Sequence, residues 1–239
     1  MVNYIFDVDG TLTRSRERIS NEFRDFFLEW MSGKQVFLVT GSDKSKTIEQ
    51  VGEDIWLLVE RVYQNAGNAV FAGGRMIKRN NFDLDDHPDL RKELLSLYVS
   101  SAWEPKYGKH IEERVGMINF STIGRACTRE DRERYFEWDK EHKEREKICA
   151  KIVNKFTNIE AHIGGQISID IHPQGLNKSQ IMSDFDEPCV FFGDRCEPGG
   201  NDNAVVEWME LENKRIGAQY HRWFHVRDPG HTRNILEQL

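Results

Sequence analysis

Residues 2–6, VNYIF, followed directly by residues 7–11, DVDGT, decide how the chain begins to fold. A short apolar run rich in β-branched and aromatic residues that stops at a polar turn predicts a buried strand. Two later stretches repeat the pattern: QVFLV at residues 35–39 runs into TGSD, and CVFF at residues 189–192 runs into Gly-Asp. The sequence therefore predicts three buried strands, each with polar residues at its carboxyl end.

Helical patterns separate the first two of these strands and follow the second. Phe23, Phe27 and Trp30 recur at helical spacing behind Ser20, a favourable N-cap residue, and predict a helix over 20–32. A second helix is predicted over 44–51. Strands that alternate with helices are typical of a parallel sheet, so we expect an α/β fold.

The pattern changes near residue 80, where an acidic and polar stretch begins. A helix is predicted over 88–101, a half-exposed antiparallel strand over 116–121, and a long charged segment with an apolar stripe over 128–156. Strand character returns at residues 167–171. We expect an α+β unit at 80–178 inserted into an α/β domain made of 1–79 and 179–239; residues 203–239 give no clear prediction.

Composition narrows the possible functions. The 239-residue chain carries 33 basic and 40 acidic residues, a net charge of −7, which argues against nucleic acid or an anionic membrane as partner. No apolar run approaches the roughly 20 residues of a membrane helix. The first residues lack the zones of a signal peptide, and the four cysteines show no CxxC spacing. These features predict a cytoplasmic protein without a structural zinc site.

Carboxylates mark the predicted strand ends. Asp7 and Asp9 follow the first strand and Asp194 follows the last. Ligands of open α/β sheets bind beyond the carboxyl ends of the strands, and converging carboxylates repel each other unless a cation compensates. Hard oxygen ligands suit Mg²⁺, so Asp7, Asp9 and Asp194 are the predicted metal ligands.

The same segments suggest chemistry at phosphorus. An ionised Asp7 can attack a phosphorus atom, Asp9 can exchange a proton with a sugar oxygen, and Lys178 can stabilise the phosphoryl charge. Three further residues offer close backbone approach or a hydroxyl group to a phosphate: Gly10, Thr40 and Ser42. Asp-x-Asp-Gly alone is equally consistent with a surface turn, but the preceding strand and the downstream motifs favour a site.

These segments resemble the four motifs of the haloacid dehalogenase superfamily: FDVDGTLT at 6–13, VTGSD at 39–43, Lys178, and the GD and ND of residues 193–202. Residues 193–202, GDRCEPGGND, are also similar to the corresponding segment of eukaryotic-type phosphomannomutases. Residues 114–132 and 163–178 resemble the cap sequences of that family.

The resemblance implies a Rossmann-like core with a parallel sheet, and an α+β cap at 80–178 that grips the substrate. It implies interconversion of mannose 6-phosphate and mannose 1-phosphate through an aspartyl phosphate, with Mg²⁺ as cofactor and a hexose 1,6-bisphosphate as intermediate and activator. It also implies a homodimer formed through the cap. The substrate-binding residues that it implies are Arg16, Arg114, Arg125, Arg132, Ser168 and Asp170.

Two other functions stay open at this point. A magnesium-dependent sugar-phosphate phosphatase would use the same scaffold, and Thr40, where the mutase family has glycine, is nearer to that branch. A binding protein that retains the fold is the third possibility, against which the intact acidic motifs speak. Arg195 and Ala204 also depart from the family pattern. His162 and His172 are expected to be structural, because two histidines ten residues apart are more often structural than ligands.

Overall fold

A computed structural model describes residues 1–239, which form two compact units. The core unit consists of Met1–Arg79 and Lys178–Leu239, and the inserted unit of Asn80–Asn177. Lys178, which the sequence analysis placed at the end of the insertion, belongs to the core unit. None of the helices combines the length and the apolar composition that a bilayer-spanning segment needs.

A seven-stranded sheet organises the core unit. Its strands are β1 (Asn3–Asp7), β2 (Gln35–Val39), β3 (Arg61–Gln64), β4 (Ala69–Ala72), β5 (Arg75–Arg79), β10 (Cys189–Gly193) and β11 (Arg222–His225). They lie in the order β11-β10-β1-β2-β3-β4-β5. All neighbours are parallel except the antiparallel pairs β3–β4 and β4–β5. The predicted α/β fold with a mainly parallel sheet is confirmed.

The three strands expected from the sequence are neighbours at the centre of this sheet. β1 pairs with β10 on one side and with β2 on the other, so the polar segments that follow them meet at one edge. The register aligns Phe6 with Phe192 and with Leu38. The two phenylalanine rings stack with centroids 4.6 Å apart. Apolar contacts between the strands thus fix the register that aligns their carboxyl ends.

Five helices belong to the core unit: α1 (Asn21–Trp30), α2 (Lys44–Val51), α3 (Glu53–Leu58), α7 (Asn203–Ile216) and α8 (Pro229–Leu236). Ser20 caps α1 by accepting a hydrogen bond from the Phe23 amide, as its sequence predicts. The Phe27 ring meets Phe6 edge to face at 5.2 Å, which anchors α1 on β1.

The carboxyl-terminal region is regular, although its sequence gave no clear prediction. It supplies α7, the edge strand β11 and α8. Thr232 of α8 is buried and donates a hydrogen bond to the Thr11 carbonyl at 2.7 Å. The last helix is therefore tied to the loop that follows β1.

The inserted unit is built on a four-stranded antiparallel sheet of β6 (Ile111–Arg114), β7 (Met117–Phe120), β8 (Ile159–Gly164) and β9 (Ser168–Pro173). These strands lie in the order β6-β7-β9-β8. The helices of this unit are α4 (Pro88–Ser100), α5 (Arg129–His142) and α6 (Glu144–Lys155). The two faces of the sheet differ in chemistry. An apolar core joins Ile118, Ile169 and Ile171 of the sheet to residues of α4 and α6, whereas Asn119 and Asp170 lie on the other, polar face.

One expectation for the inserted unit was wrong in detail. The strand expected to be half-exposed, β7, is buried along its whole length, and polar Asn119 is accommodated there by donating a hydrogen bond to Asp170. The charged segment 128–156 forms two helices, α5 and α6, and Lys143 between them has φ +52°. Arg145 secures the break through its backbone amide and guanidinium, which both donate to Asp139.

Candidate active site

Three carboxylates meet at the carboxyl edge of the core sheet. Asp7 ends β1, Asp194 directly follows β10, and Asp202 precedes α7. One oxygen from each lies within 4.8 Å of the others. Asp7 is 3% exposed and Asp202 is fully buried. We call Asp7, Asp194 and Asp202 the carboxylate cluster.

Lys178 lies between two members of this cluster. Its ammonium nitrogen donates to Asp7 Oδ1 and to Asp202 Oδ1, both at 2.6 Å, and the residue is 1% exposed. Burial disfavours the charge on Lys178, but Asp202 and Asp7 outweigh it and raise the pKa of the ammonium group. Lys178 is therefore a permanently charged group in contact with the candidate nucleophile.

The glycines of the motifs make room for the cluster. A Cβ on Gly10 would lie 2.2 Å from Asp194 Oδ2, and its φ of +86° further favours glycine. A Cβ on Gly193 would lie 2.6 Å from Asp202 Oδ2. The sequence analysis related Gly10 to a phosphate; in the structure Gly10 also lets Asp194 approach the segment after β1.

The pKa values of two carboxyl groups of the cluster, Asp7 and Asp194, are raised. Burial raises the pKa of Asp7 well above its ordinary value, against the attraction of Lys178, and the charges of Asp202 and Asp194 raise it further. Burial, followed by repulsion from Asp202, raises the pKa of Asp194 to about 7. Both shifts have the same cause: carboxylates brought together out of water repel each other's charge.

The cluster fits a divalent cation. Three carboxylates face one ammonium group, so a bound cation would relieve the remaining repulsion, and the donors are the oxygens that Mg²⁺ prefers. The cluster contains two of the predicted ligands, Asp7 and Asp194, together with Asp202, which the sequence analysis did not assign. The predicted contact of Asp9 with the metal stays a prediction. The ten residues of GDRCEPGGND return the chain to the sheet edge and bring Asp202 beside Asp194.

The carboxylate of Asp9 is held differently from the cluster. It accepts hydrogen bonds at Oδ1 from the Arg16 amide at 2.8 Å and from the Gln50 side chain at 2.9 Å. Ser42 Oγ contacts its Oδ2 at 3.4 Å. These donors fix Asp9 two residues beyond Asp7, which fits proton exchange next to a nucleophile.

Thr40, Ser42 and Arg16 lie around this loop. Thr40 is buried and its hydroxyl accepts the Ser42 amide at 3.0 Å, which shapes the turn after β2. Arg16 has φ +64°; its amide binds Asp9, while its carbonyl accepts from Lys46 and its side chain is exposed. Its backbone therefore has a local structural role in addition to the substrate contact expected for the guanidinium.

The inserted unit brings two of its predicted arginines together. Arg114 at the end of β6 donates to Glu112 Oε2 at 2.5 Å, and Arg125 lies 3.6 Å from the same oxygen. Arg125 also donates to Ser168 Oγ at 2.8 Å. We call Arg114 and Arg125 the arginine pair. Glu112 lies close to both guanidinium groups. Burial raises the pKa of its carboxyl group, but the charges of Arg114 and Arg125 have the larger effect and lower it below the ordinary value.

The other predicted residues of this unit are all substantially buried. Ser168 and Asp170 share one face of β9, and Asp170 accepts a hydrogen bond at 2.6 Å from Asn119 on the neighbouring strand β7. Arg132 lies in the second turn of α5 at 9% exposure. The structure thus joins Arg125 to Ser168 directly, whereas Arg132 is carried by a helix rather than by the sheet.

Sequence reasoning missed four residues that hold these groups: Asp202, Gln50, Glu112 and Asn119. Asp202 could have been found, because it closes the quoted GGND motif. Gln50 and Glu112 carry no signal of their own, since their roles depend on contacts made only after folding. Asn119 read as a solvent-facing residue of an alternating strand.

Solved structures with this architecture define the class. A haloacid dehalogenase-like hydrolase from Bacteroides thetaiotaomicron has a TM-score of 0.60 and 13% identity, with 98% of each chain covered. A trehalose-6-phosphate phosphatase related protein has a TM-score of 0.57 and 20% identity, covering 99% of this chain and 96% of that one. The fold is that of the haloacid dehalogenase superfamily.

Sequence comparison narrows the class to one family. The profile described as eukaryotic phosphomannomutase matches residues 23–238. The phosphomannomutase of Drosophila melanogaster is 36% identical and is matched over 89% of both chains. A probable phosphomannomutase of Caenorhabditis elegans is also 36% identical, over 98% of this chain and 95% of that one. The chain belongs to the eukaryotic phosphomannomutase family.

Proposed function

We propose that this chain is a phosphomannomutase, which interconverts mannose 6-phosphate and mannose 1-phosphate. Family membership and the names of the relatives support the reaction. The observation that carries the proposal is the buried carboxylate of Asp7 at the end of β1, in contact with Lys178 and beside two further carboxylates. Such a carboxylate can form an aspartyl phosphate when cationic groups neutralise the incoming phosphoryl oxygens.

In the first step an Asp7 oxygen attacks one phosphorus atom of a hexose 1,6-bisphosphate. A new bond between phosphorus and the Asp7 oxygen forms as the bond between phosphorus and the sugar oxygen breaks, and Asp9 gives that oxygen its proton. The products are a hexose monophosphate and phosphorylated Asp7. The bisphosphate thus primes the protein, which explains its proposed role as an activator.

In the second step a free hydroxyl of a hexose monophosphate attacks the phosphorus on Asp7. Asp9 accepts the hydroxyl proton, the bond between phosphorus and Asp7 breaks, and the bisphosphate is formed again. Interconversion requires that the phosphate taken next is the other one. Asp9 suits both steps, because the Arg16 amide and Gln50 keep its carboxylate in one place.

We propose Mg²⁺ as the resident cofactor, held by the carboxylate cluster. When bound there it would offset negative charge on the phosphoryl oxygens and on the cluster itself. Lys178 contributes a fixed positive charge beside Asp7 without exchanging a proton, because the neighbouring carboxylates keep it protonated.

We assign recognition of the rest of the substrate to the inserted unit. Guanidinium groups bind phosphate through paired hydrogen bonds and stay charged at neutral pH, which suits Arg114, Arg125 and Arg132. Ser168 and Asp170 offer hydroxyl and carboxylate groups to sugar hydroxyls. The homodimer, the division into a catalytic core and a substrate-binding cap, and the cytoplasmic location remain predictions.

One experiment separates this function from its rival. The protein is incubated with Mg²⁺, mannose 1-phosphate and a trace of hexose 1,6-bisphosphate, and the phosphorus resonances are followed with time. We expect the mannose 6-phosphate signal to grow without matching release of inorganic phosphate. If free phosphate appears at the rate at which substrate disappears, the protein is a phosphatase. Failure to convert either isomer would reject the proposal.

A further inference from the structure

A second cluster of side chains with metal-ligand chemistry lies in the inserted unit, and the proposed function uses none of its three residues. Glu160 and His162 are two residues apart on β8, so their side chains share a face, and His172 is the partner of Glu160 on β9. One ligand atom from each of the three lies within 4.8 Å of the others. The expectation that the two histidines are merely structural did not include this carboxylate.

The spacing is close to that of ligands around one small cation. His162 Nε2 lies 3.2 Å from Glu160 Oε2, and His172 Nδ1 lies 3.9 Å from the same oxygen. Tetrahedral zinc with bonds of about 2.1 Å separates its ligand atoms by about 3.4 Å. The pair of Glu160 and His162 is therefore already near the required distance, and the pair of Glu160 and His172 needs a movement of about half an ångström. The third pair, between the two histidines, lies within 4.8 Å and closes as the ion binds. The two imidazole rings stack with centroids 5.3 Å apart and planes 18° apart.

The surroundings hold the carboxylate in place. Glu160 Oε1 accepts the Gly175 amide at 3.0 Å, and its Oε2 accepts the Asn177 side chain at 2.7 Å. Hydrogen bonds of this kind orient metal ligands in known sites. His172 is 2% exposed and its Nδ1 also lies 3.1 Å from the Pro173 carbonyl oxygen, a contact that ligation through Nδ1 would replace.

We propose that Glu160, His162 and His172 form a binding site for a transition-metal ion of the Zn²⁺ type. Two imidazoles and one carboxylate are a donor set that zinc takes with an open fourth position. The side chains of Glu160 and His162 are 23% and 28% exposed, which gives the ion access from solvent. The nitrogen donors distinguish this site from the all-oxygen carboxylate cluster, which suits Mg²⁺.

The site lies on the polar face of the inserted sheet. His162 is paired with Asp170, and Ser168, Asp170 and His172 alternate along the same face of β9. A bound ion would link β8 to β9 beside the residues assigned to the sugar. It would stabilise the folded form of the unit by mass action.

The test uses the full chain, stripped of metal and kept in excess Mg²⁺ so that the carboxylate cluster is occupied. Zn²⁺ is titrated by calorimetry, and Co²⁺ replaces it in parallel to give a visible spectrum. We expect one Zn²⁺ per chain and the intense absorption of four-coordinate cobalt. His162→Gln and Glu160→Gln should each weaken Zn²⁺ binding by more than the roughly 10- to 100-fold that loss of an outer-shell partner costs.

Two variants serve as controls. His142→Gln removes another imidazole of the inserted unit, whose Nδ1 lies 2.8 Å from the Trp138 carbonyl oxygen, and should leave Zn²⁺ binding unchanged. Asp194→Asn should likewise retain this Zn²⁺. The proposal is overturned if wild type and His162→Gln bind Zn²⁺ alike, or if Asp194→Asn alone abolishes binding. Circular dichroism identifies a variant that fails to fold, and His162, the more exposed histidine, keeps that risk small.

Discussion

The core unit and the inserted unit both gather charged side chains, but the prevailing charge is opposite. At the carboxylate cluster three acidic groups surround the ammonium group of Lys178. Around Glu112, in contrast, Arg114, Arg125 and Lys109 all act on a single carboxylate. The core arrangement attracts a cation, and that of the inserted unit attracts an anion.

The two units also differ in what keeps the charges in place. The core carboxylates are fixed by strand ends and by glycines that allow close approach, so their repulsion is built into the backbone. The arginine pair is held by side-chain contacts with Glu112 and Ser168, which a phosphate can replace. A preorganised site suits covalent chemistry, and an exchangeable one suits a substrate whose two ends must both be accepted.

Replacing the nucleophile is the strongest test of the core site. Asp7→Asn keeps the size of the side chain but removes the charge that attacks phosphorus. We expect turnover to fall by at least roughly 10³-fold and phosphoenzyme labelling to disappear, while circular dichroism stays unchanged. Asp25→Asn removes an exposed carboxylate of α1 and serves as the matched control. Unchanged turnover in Asp7→Asn would refute the nucleophile assignment.

Removing the ammonium group of Lys178 should lower the stability of the fold as well as the activity. Lys178→Met leaves Asp7 and Asp202 buried without their ion-pair partner, which we expect to destabilise the fold by about 3–5 kcal/mol. Urea unfolding in the absence of Mg²⁺ measures the change. Lys214→Met, on the exposed side of α7, should stay within about 0.5 kcal/mol of wild type. Equal midpoints for the two variants would contradict the central role of Lys178.

Asp194→Asn distinguishes two effects of the Asp194 carboxylate: its repulsion of the other carboxylates of the cluster, and its contribution to Mg²⁺ binding. Without Mg²⁺ the variant should be at least as stable as wild type, because one of three repelling carboxylates is gone. Mg²⁺ at 100 times its dissociation constant should stabilise wild type by about 2.7 kcal/mol and the variant by much less. Thermal unfolding with and without Mg²⁺ measures both effects. A full Mg²⁺ shift in the variant would remove Asp194 from the ligand set.

Much of the core could be predicted because its signals are local. The run at 2–6, the run at 35–39 and the run at 189–192 are each apolar enough to indicate a buried strand, and each is followed directly by the polar residues of a motif. Parallel strands place those residues at one edge, so Asp7 and Asp194 could be expected to meet. Their confirmation as neighbours rests on β1 lying between β2 and β10.

What could not be predicted depends on contacts between distant segments. Gln50, 41 residues away from Asp9, donates a hydrogen bond to its carboxylate, and nothing in the local sequence indicated this contact. Asn119 was expected to face solvent, but it is buried and donates a hydrogen bond to Asp170, 51 residues away. The spacing of residues in the sequence predicts the helix or strand and the face on which a side chain lies. The residue that it contacts on a neighbouring strand depends on the order of the strands in the sheet.

The arginine pair is expected to affect substrate binding more than fold. Arg125→Gln removes a charged donor near Glu112 and Ser168, and a hydrogen bond to a charged group is worth about 1.5–3 kcal/mol, equivalent to a KM roughly 10- to 100-fold higher. Steady-state kinetics with mannose 1-phosphate measures it. Arg134→Gln, an exposed arginine paired with Asp131, is the control and should leave KM unchanged. An unaltered KM in Arg125→Gln would contradict the assignment of anion binding to the arginine pair of the inserted unit.

The smallest effect is expected at Ser168, and it distinguishes two roles. Its hydroxyl accepts a hydrogen bond from Arg125 at 2.8 Å, so Ser168→Ala should raise KM by a few-fold, in line with about 0.5–1.5 kcal/mol for one hydrogen bond. If Ser168 acts by positioning Arg125, the alanine change should have little further effect in the Arg125→Gln background. If the hydroxyl binds the sugar itself, the two increases in KM should multiply. The double-mutant cycle therefore decides whether the polar face of β9 contacts the substrate directly or only orients the arginine that does.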